Sequence, residues 1–340
     1  MKKHFLYTIL FCLLAVAVNA QQNNTFLWRI SNPANKQVSY LFGTIHLPQE
    51  KFMPVTDSVY RAIMNTDYFY GELDYQNMYK EMSKNNDFFD SKLHYMDSVK
   101  TTAGWKRMIN AINRKYDKHL NPENVDEFSQ FGQSLLDDYM KPDPGVKPLD
   151  IALAAYAVNL GKQGRGLETF VLQVDMLYKI IDARLRDTTL LFDEDIRLTA
   201  DLTNFYIHRQ FDSLSNLIEG LNANYRKVLF DDRNIGMADS MYNITKNKTA
   251  FFAVGCGHLL GSHGIIALLR AKGLTLTPVF SNKTYSVTIV TKMLKGTMNK
   301  LDKSMNWNDA PKERMEEIKE DVQIKPGALI GAPAKSKTKN

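Results

Sequence analysis

Cysteine is almost absent from this 340-residue chain. Of its two cysteines, Cys12 lies in an N-terminal apolar run, and only Cys256 remains once that run is removed. No internal disulfide can then form, so stability has to come from a hydrophobic core. At 44% hydrophobic the chain can supply one. A membrane-spanning run is missing too: Phe5 to Val18 falls short of the roughly 20 residues a span requires. Charge of one sign is not in large excess. Taking Lys2 and Lys3 from the 43 basic residues leaves a surplus of four over the 37 acidic ones. With no basic-aromatic module either, nucleic acid is excluded as the expected partner. The chain has no HExxH, no Lys-Ser/Thr phosphate loop and no full GxGxxG order. Those absences argue against a zincin helix, a nucleotide-phosphate loop and a dinucleotide fold.

What is present begins with a targeting segment. Lys2 and Lys3 form a basic start, Phe5 to Val18 an apolar stretch, and Val18-Asn19-Ala20 a small-residue cleavage site. The expectation is a signal peptide over 1–20, cut after Ala20, and a secreted or periplasmic protein without stable membrane insertion. Length alone would allow two domains. A single domain over 21–298 is preferred, because paired motifs stand at its opposite ends. Residues 299–340 read as a charged, partly disordered tail.

One of those motifs lies within residues 250–280. Phe251 to Val254 is a short apolar run bounded by glycine, which reads as a buried strand. Gly255-Cys256-Gly257-His258 then makes a tight turn, Ile265 to Lys272 a helix, and Leu274 to Phe280 a further strand. The same order occurs over 39–74: an apolar strand, Gly43-Thr44-Ile45-His46, a helix from Asp57 to Met64, and a strand from Tyr68 to Leu73. The fold class is therefore α/β, with two pseudo-symmetric strand–GxxH–helix–strand units forming a central sheet. A mostly helical insertion separates them over about 75–246. Gly161 to Gly166 reads there as a glycine-rich break, and Asn224 to Lys246 as a long polar helix. Tyr285 to Val290 alternates like an added strand.

A single histidine at a turn is usually no more than hydrogen-bonded. Two in the same slot of two similar units, His46 and His258, suggest one shared site at the carboxyl ends of strands. Glu72 closes a nearly continuous apolar strand, where a carboxylate is either paired or functional. Asp74 is its competitor, with a solvated loop as the plain alternative. Glu168 sits in a glycine-flanked turn. Imidazole with carboxylate suits zinc, manganese or iron(II), and a metal with an open position activates water for hydrolysis. Glu72 and Glu168 are candidates for ligand and general base. Arg233 stands either on a solvated helix face or as a clamp for a carboxylate or oxyanion. His263 reads as a loop residue. Cys256 reads as a small buried residue rather than a nucleophile.

Taken together, GTIHLP at 43–48, GELD at 71–74, GLET with Gln173 after it, DDRN around Arg233, and VGCGHLLGSHGIIALLRAKG at 254–273 resemble the TraB/PrgY/GumN family. The Tiki Wnt-cleaving metalloproteases belong to the same group. The resemblance spans about residues 26–290. It implies an α/β fold similar to the erythromycin esterase and ChaN-like proteins. It also implies a metal-dependent hydrolytic site, carried here by Gly43, His46, Glu72, Gly255, Gly257 and His258, with Glu168 and Arg233 as further motif positions. Cys256 departs from the usual small residue such as alanine, and Asp232 from the glutamate that often precedes Arg-Asn. The leading expectation is an exported hydrolase that uses a divalent ion (manganese, cobalt or zinc) on a peptide or protein substrate. Two other classes stand beside it: a non-enzymatic protein that sequesters a peptide signal, and a metal-independent, esterase-like hydrolase.

Overall fold

The strand Ala250–Gly255 is the centre of the molecule (β5), and Phe251, Phe252 and Val254 in it are fully buried. Such a run, apolar on both faces, requires cover on both sides of the sheet. In this computed structural model the described residues are 25–45, 57–140, 148–186 and 192–280. The N-terminal segment, the expected strand at Tyr285 to Val290 and the tail lie outside them, as does His46.

The other strands are β1 (Leu27–Ser31), β2 (Val38–Thr44), β3 (Tyr68–Gly71), β4 (Gln163–Gly166) and β6 (Thr275–Pro278). They form one six-stranded sheet in the order β4-β3-β5-β2-β1-β6. β4, β3, β5 and β2 are mutually parallel, while β1 is antiparallel to both its neighbours. The strands that lead into the two glycine turns are hydrogen-bonded neighbours, with Thr44 opposite Gly255.

Helix α1 (Asp57–Met64) follows β2, and the helices from α2 (Met78–Lys84) through α3 (Asn86–Val99), α4 (Ala103–Tyr116), α5 (Val125–Met140) and α6 (Leu149–Asn159) lead to β4. Then come α7 (Phe170–Arg186), α8 (Phe192–Ile207), α9 (Phe211–Glu219), α10 (Ala223–Arg226) and α11 (Asp232–Thr245); α12 (Ile265–Ala271) follows β5. Alternation along β5 divides the core. Phe251 and Ala253 pack with Phe42, Phe69, α1 and α6, whereas Phe252 and Val254 pack with Leu41, Tyr70, α11 and α12. A satellite core of Met96, Trp105, Met108, Ile109 and Val125 joins α3, α4 and α5.

In both units a strand is followed by a helix and a further strand, with residues 46–56 of the first outside the described residues, but the two are not laid out alike. From β2 to β3 the chain passes over one strand, β5; from β5 to β6 it passes over two, β2 and β1. The helices α1 and α12 cover opposite faces. The glycine-rich break at Gly161 to Gly166 contains an edge strand, because backbone pairing of Gln163–Gly166 to β3 needs no apolar pattern. β3 stops at Gly71, two residues short of Leu73. No helix among the described residues is long and apolar enough to cross a membrane.

Candidate functional site

The parallel strands deliver their carboxyl ends to one edge, and Glu72 is the first residue beyond β3 there. It is buried at 6% exposure. Because the strand has ended, the side chain can reach over β5, where its Oε1 accepts the Gly255 N–H at 2.7 Å. Its Oε2 accepts from Arg233 Nη2 at 2.8 Å and from Gln173 Nε2 at 3.1 Å. Glu168 is brought alongside by an extension of the β3–β4 ladder: the Leu167 and Glu168 N–H groups donate to the Gly71 and Glu72 carbonyls at 3.0 and 2.9 Å.

Arg233 joins the two carboxylates. Nε and Nη2 fork onto Glu168 at 2.9 and 2.6 Å, Nη2 also reaches Glu72, and Nη1 donates to the Leu229 carbonyl at 3.1 Å. It stands in the first turn of α11, directly after a wide π turn over Lys227–Asp231. Such turns re-aim side chains and recur at functional sites. Burial alone would lower the guanidinium pKa; the bonds and charges of Glu168 and Glu72 outweigh it and raise it. Arg233 is therefore no solvated helix residue.

His258 ends a short 3-10 turn, Cys256–His258, and is buried at 4% exposure. Its Nδ1 lies 2.6 Å from Asn234 Oδ1, and Asn234 Nδ2 donates to the His263 carbonyl at 2.9 Å. The second bond fixes the amide orientation, so Oδ1 faces the ring and can only accept. Nδ1 must then carry the proton, and in the neutral ring the lone pair belongs to Nε2. Nε2 is 3.7 Å from Glu72 Oε1. The Phe230 ring packs against the imidazole with centroids 5.1 Å apart. Gly257 permits that contact, since a Cβ there would stand 2.7 Å from the Phe230 ring. Gly43 is similarly confined, with Leu259, Phe26 and Cys256 all at 3.0–3.2 Å from a Cβ.

The structure thus unites Glu72, Glu168, Arg233, Gly255, Gly257 and His258. Asp74 is elsewhere occupied, accepting from the Asn77 N–H and Nδ2 at 3.3 and 2.9 Å as a turn cap. His263 contributes its backbone carbonyl to Asn234. Cys256 is fully buried and its thiol is pushed up to about 12 by burial, which suits a packed residue and not a nucleophile. Phe230 and Asn234, as supports of His258, are what sequence reasoning missed. Asn234 stood in the DDRN motif, but nothing in a helix reports which distant ring its amide meets.

The described donors suit a divalent ion. A separation of 3.7 Å is too long for a hydrogen bond. It matches two ligands that each hold one ion at about 2.0–2.2 Å. The Nδ1–H bond to Asn234 is the support metal-ligating histidines usually have. No group of three or more potential ligands occurs among the described residues.

The TraB/PrgY/gumN family model matches residues 26–278. Metalloprotease TIKI2 of Danio rerio is 23% identical over 319 residues, covering 75% of this chain and 61% of the relative. Metalloprotease TIKI2 of Xenopus tropicalis is 24% identical over 328 residues, covering 77% and 61%. The chain therefore spans less than two thirds of the length of these relatives. No solved structure matches. The family match runs from β1 to β6 and takes in the whole sheet and every described residue of the cluster: this chain belongs to the TraB/PrgY/gumN family.

Proposed function

We propose that this protein is an exported, metal-dependent hydrolase that cleaves peptides. The observation that carries the reading is the buried His258–Glu72 pair, with Nδ1 tied to Asn234 and Nε2 turned toward Glu72 Oε1 at 3.7 Å. Two relatives named as metalloproteases support it for a peptide substrate. The basic, apolar and small-residue order of residues 1–20 supports export.

In this reading His258 and Glu72 would hold the ion, through Nε2 and Oε1, with His46 as the third ligand expected from its GxxH motif. The chemistry a divalent ion supplies at such a site is a water acidic enough to attack a carbonyl near neutral pH. Asn234 keeps the imidazole in the tautomer that offers Nε2. Arg233 donates to Glu72 Oε2 and fixes it, which aims Oε1 at His258. Glu168 gives both oxygens to the Arg233 fork, which makes it the anchor of that arginine and leaves Glu72 as the carboxylate nearest the chemistry.

Asn234→Ala should weaken metal affinity and turnover about 10–100-fold. Asn234→Asp keeps an acceptor facing Nδ1 but sets its second oxygen against the His263 carbonyl, so it should lose affinity as well. Manganese or cobalt titration of the Asn234→Ala variant checks this, and metal affinity and turnover equal to the wild type's would remove Asn234 from the account.

The reading itself is tested with protein purified without a His-tag. Elemental analysis should find a divalent metal. A peptide library should be cut in the presence of manganese, cobalt or zinc and spared after chelation. Cleavage that survives the chelator would favour the metal-independent hydrolase, and peptide binding without cleavage the sequestering protein.

A further inference from the structure

Beside the Arg233–Glu168 end of the cluster lies a groove of about 380 Å³, open to solvent and running between α7 and the π turn with α11. Its size falls in the ordinary range of small-ligand sites. Leu172, Met176 and Val228 supply apolar walls, while Arg233 and Glu168 form part of the lining. Leu172 is 47% exposed, although it stands on a helix with a core to join. The charged side chains at the rim are engaged with their neighbours: Asp175 with Lys92 and Lys179, and Asp232 with Lys227. The remaining groove surface is largely apolar.

A second observation points the same way. Gly236 lies on this groove in the interior of α11. Glycine inside a helix is unfavourable relative to alanine. Packing does not require it here, because a Cβ built on Gly236 meets nothing within 4 Å. Its φ is not among the positive ones. What the missing side chain leaves is room in the groove beside the arginine.

We infer that this groove receives an apolar side chain of the peptide substrate, leucine-like in size, and so selects the residue presented beside the site. The inference rests on the peptide reading of the preceding subsection. The occupant is apolar because the walls are, and it belongs to the substrate because the groove is continuous with the two residues that hold Glu72 in place. Gly236 and Leu172 are then specificity-determining positions.

Methyl-labelled methionine in the full chain tests it without requiring turnover. Addition of N-acetyl-leucinamide should shift the Met176 methyl resonance, and N-acetyl-glycinamide should not. Gly236→Leu, which fills the groove, should abolish that shift while the melting temperature holds or rises. In cleavage assays the same variant should lower the kcat/KM ratio of leucine- over glycine-bearing peptides at least tenfold. An unchanged Met176 resonance in the wild type, or an equal ratio in Gly236→Leu, overturns the groove even if peptides are cut. A leucine-specific shift with no cleavage under any metal leaves the groove standing and overturns the hydrolase reading.

Discussion

Arg233→Met is expected to destabilise the fold by about 3–5 kcal/mol, the usual cost of removing one partner from a buried ion pair. The side chains of Arg233, Glu72 and Glu168 are 10%, 7% and 5% exposed. Methionine replaces the bulk but none of the five donor contacts, three to Glu168, one to Glu72 and one to the Leu229 carbonyl. Two carboxylates then share a buried space without their common cation. Adding Glu168→Gln to the variant removes one of those charges, so the double variant should recover part of the loss, by a coupling of roughly 1–3 kcal/mol. Urea denaturation of the four proteins measures it. A loss under about 1 kcal/mol, as for exposed pairs, would mean that water reaches the cluster.

The parts of this arrangement that could be read from sequence are those with a local signature. Phe251 to Val254 announced a doubly covered strand, since no amphipathic element is apolar at four consecutive positions. Glycine before each histidine marked strand ends, and Glu72 after an apolar run marked a carboxylate in need of a partner. β4 gave no such signal: Gln163-Gly164-Arg165-Gly166 is a strand only because its backbone pairs with Tyr68–Gly71. Periodicity reports side-chain burial and is silent on that pairing. The spacing of the two units in the sheet was equally hidden, because a crossover helix does not record how many strands it passes over. For Arg233 the sequence leaves open a solvated helix face or a clamp for a carboxylate or oxyanion. Its burial comes from a π turn and from carboxylates 65 and 161 residues away in sequence.

The second large effect is on turnover. His258→Ala should reduce peptide hydrolysis by at least 10²-fold, because the nitrogen offered toward Glu72 is lost and with it the ligand proposed for the ion. It should also cost about 1–3 kcal/mol, since Asn234 Oδ1 loses the N–H it accepts. Glu72→Gln should be comparably damaging to turnover by a different route. An amide at Oε2 sets an NH2 group against the Arg233 and Gln173 donors, so the group must turn and the aim of Oε1 at His258 is lost. If Glu72 ligates the ion, metal affinity falls together with rate. Were it only a proton acceptor, affinity would stay while rate alone fell by about 10²–10⁴-fold. Circular dichroism of both variants separates these losses from unfolding.

The shared-ion claim is met most directly by cobalt(II) titration followed through its ligand-field absorption. Wild-type protein should bind one equivalent and show a visible band of nitrogen–oxygen coordination. That band should disappear or weaken at least tenfold in affinity in both His258→Ala and Glu72→Gln, with the fold intact. Cobalt bound equally well, with the same spectrum, in the wild type and both variants would contradict a site built on His258 and Glu72.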